Sequence, residues 1–155
     1  MGEYPEWLPP PVRLEDYRGN WWAYKKACYE YYRKDFVEIE DDLYFKSKIV
    51  LRDDDITEYG WEETFRHIVL GDKKNKETQD MSRFEKIRWI RPMIEAANKE
   101  KIPWWCNTRS SGGKRGSQER VVIALPDFSY KVVMRKAKNK YILFDAYTCY
   151  GHEID

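Results

Sequence analysis

The strongest constraint on this fold is a change in the hydrophobic pattern after Pro103. Three short runs rich in β-branched and aromatic residues then follow one another, at Arg120–Leu125, Tyr130–Arg135 and Lys140–Tyr147. Only four residues separate each run from the next. Connections that short join antiparallel neighbours, whereas parallel strands need a longer crossover. The C-terminal part of the chain is therefore predicted to form an antiparallel β-meander.

The sequence before this meander has the period of amphipathic helices. This period predicts three helices, at Leu14–Phe36, Thr57–Leu70 and Ser82–Lys99, and a kink is expected in the last one at Pro92. Between the first two, Leu43–Leu51 alternates as a half-exposed strand does. Helices that precede a sheet, with no internal repeat or linker, predict an α+β fold for one domain over residues 13–155.

The first 12 residues differ from the rest because four of them are proline. They predict an extended arm that either lies on the domain or trails from it. No run approaches the ~18 apolar residues of a membrane-spanning helix, and no signal-peptide pattern is present. Cys28, Cys106 and Cys149 are scattered, without the spacing of a disulfide framework or a zinc site. We therefore expect a cytoplasmic protein with no membrane partner.

The small net charge of +1 hides an uneven distribution. Residues 101–140 carry ten basic and two acidic side chains, a local excess of +8, whereas residues 1–60 have a net charge of −5. Such an excess is typical of a surface that contacts phosphates. A solvated basic surface without a partner would have the same composition. Aromatic residues make up 16% of the chain, and those near the surface could stack on bases or line an interface.

A basic segment rich in glycine and serine precedes the meander, at Thr108–Ser117. Its glycines would let backbone N–H groups approach an anion closely. Arg109, Ser111, Lys114 and Arg115 are predicted to bind substrate phosphates there. The alternative is a mobile connector, and the spacing of a Walker A loop is absent.

Further anion-binding candidates lie on the meander itself. Lys131 and Arg135 are predicted to contact a bound nucleic-acid backbone from the solvent side of the sheet. Arg120 begins a predicted strand, which would hold its side chain firmly. At the end of the last strand, the hydroxyl groups of Tyr147 and Thr148 could hold a phosphate, although tyrosines at sheet edges often only pack.

His67 is the main candidate for acid–base chemistry, because imidazole exchanges protons near neutral pH. The alternative is a histidine that merely satisfies a helix end. Asp145 could orient such a base or a cation. The chain has no HExxH, no paired histidines, no clustered cysteines and no GxSxG or GxGxxG motif. We therefore expect neither a metal nor a cofactor.

Several parts of the sequence together resemble a known family. Gly60–Ile68 resembles a G-x-E-x-T-F-x-H-I element, and Arg83–Ile90 resembles an R-x-E-R-I-x-W-I helix. The strands that end at Leu143–Tyr147 resemble a pair of strands followed by T-A-Y. This pattern is similar to that of phage-associated nucleases of the barnase–EndoU–colicin–RelE group. The resemblance implies helices followed by a four-stranded antiparallel sheet.

The resemblance also implies a function, namely metal-independent cleavage of RNA, as in a phage-encoded toxin-like endoribonuclease. His67 matches the family histidine, Arg120 the basic residue at the start of a strand, and Tyr147 the tyrosine of T-A-Y. Asp145 replaces the family threonine, and a carboxylate there would repel a phosphate. Asp145 would then serve in acid–base chemistry, or Thr148 would substitute for the threonine, or activity has been lost.

Two further readings stay open beside the nuclease. A non-catalytic module would bind single-stranded or structured RNA in a salt-dependent way without cleaving it. A protein-interaction module would use the surplus aromatic residues at an interface. If the chain is a nuclease, an immunity or antitoxin protein is an expected partner.

Overall fold

A computed structural model describes residues 5–71, 81–110 and 117–149. Its first described residues form an arm that packs on the domain. Leu8 and Val12 are buried, and the carbonyl oxygen of Pro9 accepts a hydrogen bond of 2.7 Å from Nε1 of Trp89. The backbone N–H of Val12 donates to the carbonyl of Glu85 at 2.8 Å. Between the two arrangements that the sequence left open, the structure has the arm lying on the domain.

The predicted first helix is divided into three pieces. A 3-10 turn at Leu14–Tyr17 precedes α1 (Trp21–Tyr32), and a π-helical segment follows at Arg33–Val37. The break arises at Arg18 and Gly19, which have φ of 54° and 73° and so cannot continue a right-handed helix. Asn20 then caps α1, because its side-chain oxygen accepts from the N–H of Ala23.

The predicted strand Leu43–Leu51 is instead a hairpin. It consists of β1 (Tyr44–Phe45) and β2 (Lys48–Leu51). Lys46 and Ser47 both have positive φ, of 49° and 70°, as a two-residue hairpin turn requires. Asn98 fixes this turn by accepting from the N–H of Lys46 at 2.7 Å. Alternation alone could not show a turn that a distant residue supports.

The other two predicted helices correspond to three shorter helices. They are α2 (Glu63–Leu70), α3 (Met81–Glu85) and α4 (Ile90–Asn98), the last two being separated by a 3-10 turn at Ile87–Trp89. Pro92 lies in the first turn of α4, where its missing N–H has no partner to lose. The helix therefore restarts before Pro92 and does not kink at it.

The α+β class is confirmed, but the prediction of a four-stranded antiparallel sheet is wrong. In the described residues, six strands form one mixed sheet in the order β1-β2-β6-β5-β4-β3. The additional strands are β3 (Trp104–Ser110), β4 (Ser117–Ala124), β5 (Tyr130–Ala137) and β6 (Lys140–Thr148). β2 runs parallel to β6 over Ile142 and the two residues before it. The hairpin thus extends the antiparallel part of the sheet by two strands, through a long-range pairing that local patterns do not encode.

β3 was missed because its polar composition resembles a loop. Residues Thr108–Ser110, which the sequence assigned to a basic loop, belong to this edge strand and pair with the start of β4. Since β4 begins at Ser117, Arg120 lies inside a strand and not at its beginning.

The two faces of the sheet have different roles. One face packs under the helices; for example, the buried ring of Tyr130 meets Trp89 edge-on with 5.6 Å between ring centroids. On the other face, Arg120 lies directly opposite Arg135, and Val133 lies opposite Asp145. We call this second side of the sheet the arginine face.

The longest helix in the described part of the chain has 12 residues. None of the helices there combines the length and apolar content that crossing a membrane requires.

Candidate functional site

A β-bulge in β6 shapes the centre of the arginine face. Met134 pairs with Leu143 and Val133 pairs with Asp145, so Phe144 is one residue more than β5 can match. Strict alternation would place Phe144 and Asp145 on opposite faces. The bulge allows both side chains to reach the arginine face, and bulges that redirect side chains are common beside active sites.

The ring of Phe144 lies among three nitrogen-containing groups. The His67 ring is tilted against it at 35°, with 4.6 Å between centroids. The guanidinium carbons of Arg120 and Arg135 lie 4.7 Å and 5.1 Å from its centroid. Such cation–π contacts are favourable, and they fix two arginines that the strand register already places side by side. The result is a local concentration of positive charge on a rigid support.

Asp145 lies between a histidine and a third arginine. One of its carboxylate oxygens is 3.7 Å from Nε2 of His67, and the other accepts from Nη1 of Arg83 at 3.0 Å. The N–H of Ala146 also donates to Asp145, at 2.9 Å. All three side chains are largely buried, His67 being 8% exposed. Arg83 offsets the charge that would otherwise make Asp145 repel a phosphate.

The part of β6 that β2 does not cover explains why His67 of α2 and Arg83 of α3 lie beside this strand. β2 accompanies β6 only as far as Ile142, so later carbonyl groups of β6 need other donors. The hydroxyl of Thr64 donates to the carbonyl of Leu143 at 3.5 Å, and Arg83 donates to the carbonyl of Ala146 at 3.5 Å. His67, one turn of helix after Thr64, is thereby held beside Asp145.

Arg83 reaches this position by crossing the end of α2. It donates to the carbonyl of Ile68 at 2.8 Å. Gly71, which ends α2 with φ of +66°, leaves room for it: a Cβ at Gly71 would lie 3.1 Å from the guanidinium carbon. The glycine thus serves both the backbone turn and the close approach of Arg83.

The beginning of α2 is fixed by Glu62, which is buried at 4% exposure. Its carboxylate accepts from the hydroxyl of Tyr29 and from Nη1 of Arg33, both at 3.2 Å. Burial, reinforced by the nearby Asp54, raises the pKa of Glu62. These contacts fasten α2 to α1 and so define where His67 lies.

Of the predicted site residues, His67, Arg120, Arg135 and Asp145 meet around Phe144. Lys131 is different: it is 2% exposed, and its Nζ lies 5.7 Å from the ring centroid of Trp105. Its ammonium group therefore lies beneath the surface in this structure.

Tyr147 and Thr148 point to opposite sides of the sheet. Tyr147 pairs with Lys131 on the arginine face, and its ring centroid is 5.9 Å from the guanidinium carbon of Arg83. Thr148 faces the helices, where its hydroxyl accepts from Nζ of Lys86 at 2.9 Å. The structure therefore does not bring Thr148 together with His67.

Most of the predicted phosphate-binding loop lies outside the described residues. Ser111, Lys114 and Arg115 lie outside the described residues, and Arg109 belongs to β3.

Two residues of the site were not assigned a role from the sequence. The position of Phe144 depends on the bulge, which no sequence pattern indicates. Arg83 was part of the resembling helix, yet only the tertiary structure shows that it contacts Asp145. Below them, burial raises the pKa of Tyr130, and the charge of Asp145 raises it further; its phenol therefore stays neutral.

Among the described residues, no group of three or more histidine, cysteine, aspartate or glutamate side chains is arranged to hold a metal ion. Comparisons with protein-family models, with curated proteins and with solved structures find no match for this chain. The fold therefore defines the class, α+β with a mixed six-stranded sheet, and the function rests on the geometry of the arginine face.

Proposed function

We propose that this protein is a metal-independent endoribonuclease related to the barnase–EndoU–colicin–RelE group. One observation carries the proposal: the His67 imidazole and the Asp145 carboxylate lie 3.7 Å apart, directly beside the Arg120–Arg135 pair. Two guanidinium groups side by side suit the oxygens of a phosphate, which they can hold by charge-assisted hydrogen bonds. Their placement supports a phosphate as the ligand.

The proposed reaction uses the substrate's own nucleophile. His67 removes the proton from a ribose 2′-hydroxyl, and the oxygen attacks the adjacent phosphorus. The bond from phosphorus to the 5′-oxygen breaks, and a proton transferred to that oxygen completes the release. The products are a 2′,3′-cyclic phosphate and a free 5′-hydroxyl, and no metal-activated water is needed.

Each neighbouring group has a place in this scheme. Asp145 faces the imidazole and would stabilise the imidazolium that forms. Arg120 and Arg135 would neutralise the charge that develops on the phosphate oxygens. Arg83 holds Asp145, so it acts as a positioning residue. An enzyme of this kind fits a cytoplasmic setting, where RNA is available.

Purified protein incubated with RNA in excess EDTA tests the proposal. We expect cleavage by the wild type and a loss of about 10²- to 10⁴-fold in rate for His67→Ala, the usual contribution of a general base. Because His67 is buried, His67→Gln, which preserves more of the volume, should be measured in parallel. Cleavage at the wild-type rate by both folded variants would contradict the assignment of His67.

A second candidate is RNA binding without cleavage. It is favoured by the burial of His67, whose side chain is 10% exposed, since a general base must meet its substrate. This alternative predicts salt-dependent affinity for RNA that His67→Gln leaves unchanged, with no cleavage by either protein.

A further inference from the structure

The turn between β4 and β5 displays an aromatic ring in a strained position. Phe128 is 50% exposed and has φ of 60°, a conformation that bulky side chains rarely adopt. Its N–H donates to the carbonyl of Leu125 at 2.8 Å, and Asp127 braces the turn by accepting from Ser129. Glycine would serve this backbone better than phenylalanine. Strain of this kind concentrates at functional positions.

A second ring lies beside it on the edge strand β3. Trp105 is partly exposed, and its centroid is 6.0 Å from that of Phe128 with 53° between the ring planes. At this tilt, neither ring covers the face of the other. The buried ammonium group of Lys131 lies 5.7 Å from the Trp105 centroid, which anchors the indole electrostatically. The two rings form what we call the aromatic step.

The aromatic step belongs to the same side of the sheet as the arginines. Trp105 pairs with Val122, and Val122 is two residues from Arg120 along β4. Residues two apart on a strand share a face and are separated by about 6.6 Å. A flexible chain whose phosphates meet Arg120 and Arg135 could therefore place a neighbouring group on the aromatic step.

We propose that the aromatic step stacks unpaired nucleobases, so that the ligand of the arginine face is single-stranded RNA. Proteins that bind single strands combine a basic track with aromatic rings, because every base has a face to stack and a backbone to neutralise. Bases inside a duplex are already stacked and cannot enter the step. The inference rests on the proposed function for its choice of RNA, but it needs binding alone and not cleavage.

A binding experiment with an uncleavable strand tests this directly. The probe is a fluorescently labelled 12-nucleotide 2′-O-methyl RNA, used single-stranded and annealed to its complement, with heparin as a polyanion that has no bases. Phe128→Gly removes the ring and suits the positive φ, so the variant should fold. Tyr44→Ala is the matched control, since Tyr44 is also 50% exposed but lies on β1 at the opposite edge of the sheet.

We expect Phe128→Gly and Trp105→Ala each to weaken single-strand binding by about 5- to 100-fold, the usual effect of losing one stacked base. Their affinity for heparin should stay the same, and Tyr44→Ala should bind the single strand as the wild type does. Three results would overturn the proposal: unchanged single-strand affinity in both variants, an equal loss toward heparin, or a wild type that prefers the duplex. Unchanged affinity would instead favour a protein partner as the ligand of the exposed rings. Since the strand cannot be cleaved, absence of nuclease activity would not affect the outcome.

Discussion

Replacing Gly71 by alanine should push Arg83 out of its position beside Asp145 by a few tenths of an ångström. Gly71 has φ of 66° and ψ of −159°, a combination that costs other residues about 1–3 kcal/mol. The new Cβ would lie 3.1 Å from the guanidinium carbon of Arg83, so the guanidinium must move. Complete loss of the hydrogen bond to Asp145 would add about 1.5–3 kcal/mol, and the weakening caused by a small shift adds less. We expect the free energy of unfolding to fall by about 3 kcal/mol in total.

Gly60→Ala provides the matched control for this effect. Gly60 also has a positive φ, of 79°, but a Cβ there meets no described atom within 4 Å. The free energy of unfolding of Gly60→Ala should therefore fall only by the cost of the backbone conformation, about 1 kcal/mol. Urea denaturation followed by circular dichroism measures both variants. Equal losses in the free energy of unfolding would show that the Arg83 guanidinium moves without an energetic cost. That result would refute the role of Arg83 in holding Asp145.

Three further predictions concern charge and strain. Burial raises the pKa of Asp35 to about 6 in spite of the nearby Arg91 and Arg88, so stability should fall as pH rises from about 4 to 6. Because Asp35 is partly exposed, Asp35→Asn should raise the free energy of unfolding at pH 7 by only about 1 kcal/mol, and it should have no effect at pH 3. If urea titrations gave the same difference between wild type and variant at both pH values, the destabilising role of the Asp35 charge would be contradicted. Arg135→Gln should weaken RNA binding and reduce the slope of log affinity against log salt concentration by about 0.7 per lost phosphate contact. Lys138→Gln is an exposed control with the same charge change and should alter this slope little. Equal slopes for the two variants would show that Arg135 does not contact the RNA. Phe128→Gly should stabilise the fold by about 1 kcal/mol through relief of its left-handed backbone, and a loss of melting temperature would show that the ring's packing outweighs the strain.

The parts of the fold that depend on local pattern were predictable from the sequence. The three runs of the meander became β4, β5 and β6, because alternation and short connections are local signals. The turn at Lys46 and Ser47 was not predictable in this way, since Asn98 supports it from a distant helix. The parallel pairing of β2 with β6 joins residues about ninety positions apart, and no short-range pattern reports such a contact.

The candidate site shows the same division. Side chains alternate between the two faces of a strand, so once the meander is known it can be deduced that Arg120 and Arg135 share a face. Asp145 joins them only through the bulge at Phe144, which shifts the parity of β6. Lys131 has the right parity but is buried beside Trp105, because packing around a side chain, and not its position in the strand, decides its exposure.

The proposed reaction requires the 2′-hydroxyl of the substrate to act as the nucleophile. This requirement can be tested with a DNA oligonucleotide that contains one ribonucleotide. The strand is incubated with the protein in excess EDTA, and the fragments are analysed by mass spectrometry. We expect a single cut on the 3′ side of the ribonucleotide, with a 2′,3′-cyclic phosphate on one fragment and a 5′-hydroxyl on the other. Cleavage of the all-deoxy strand, or fragments that end in a 3′-hydroxyl, would contradict it.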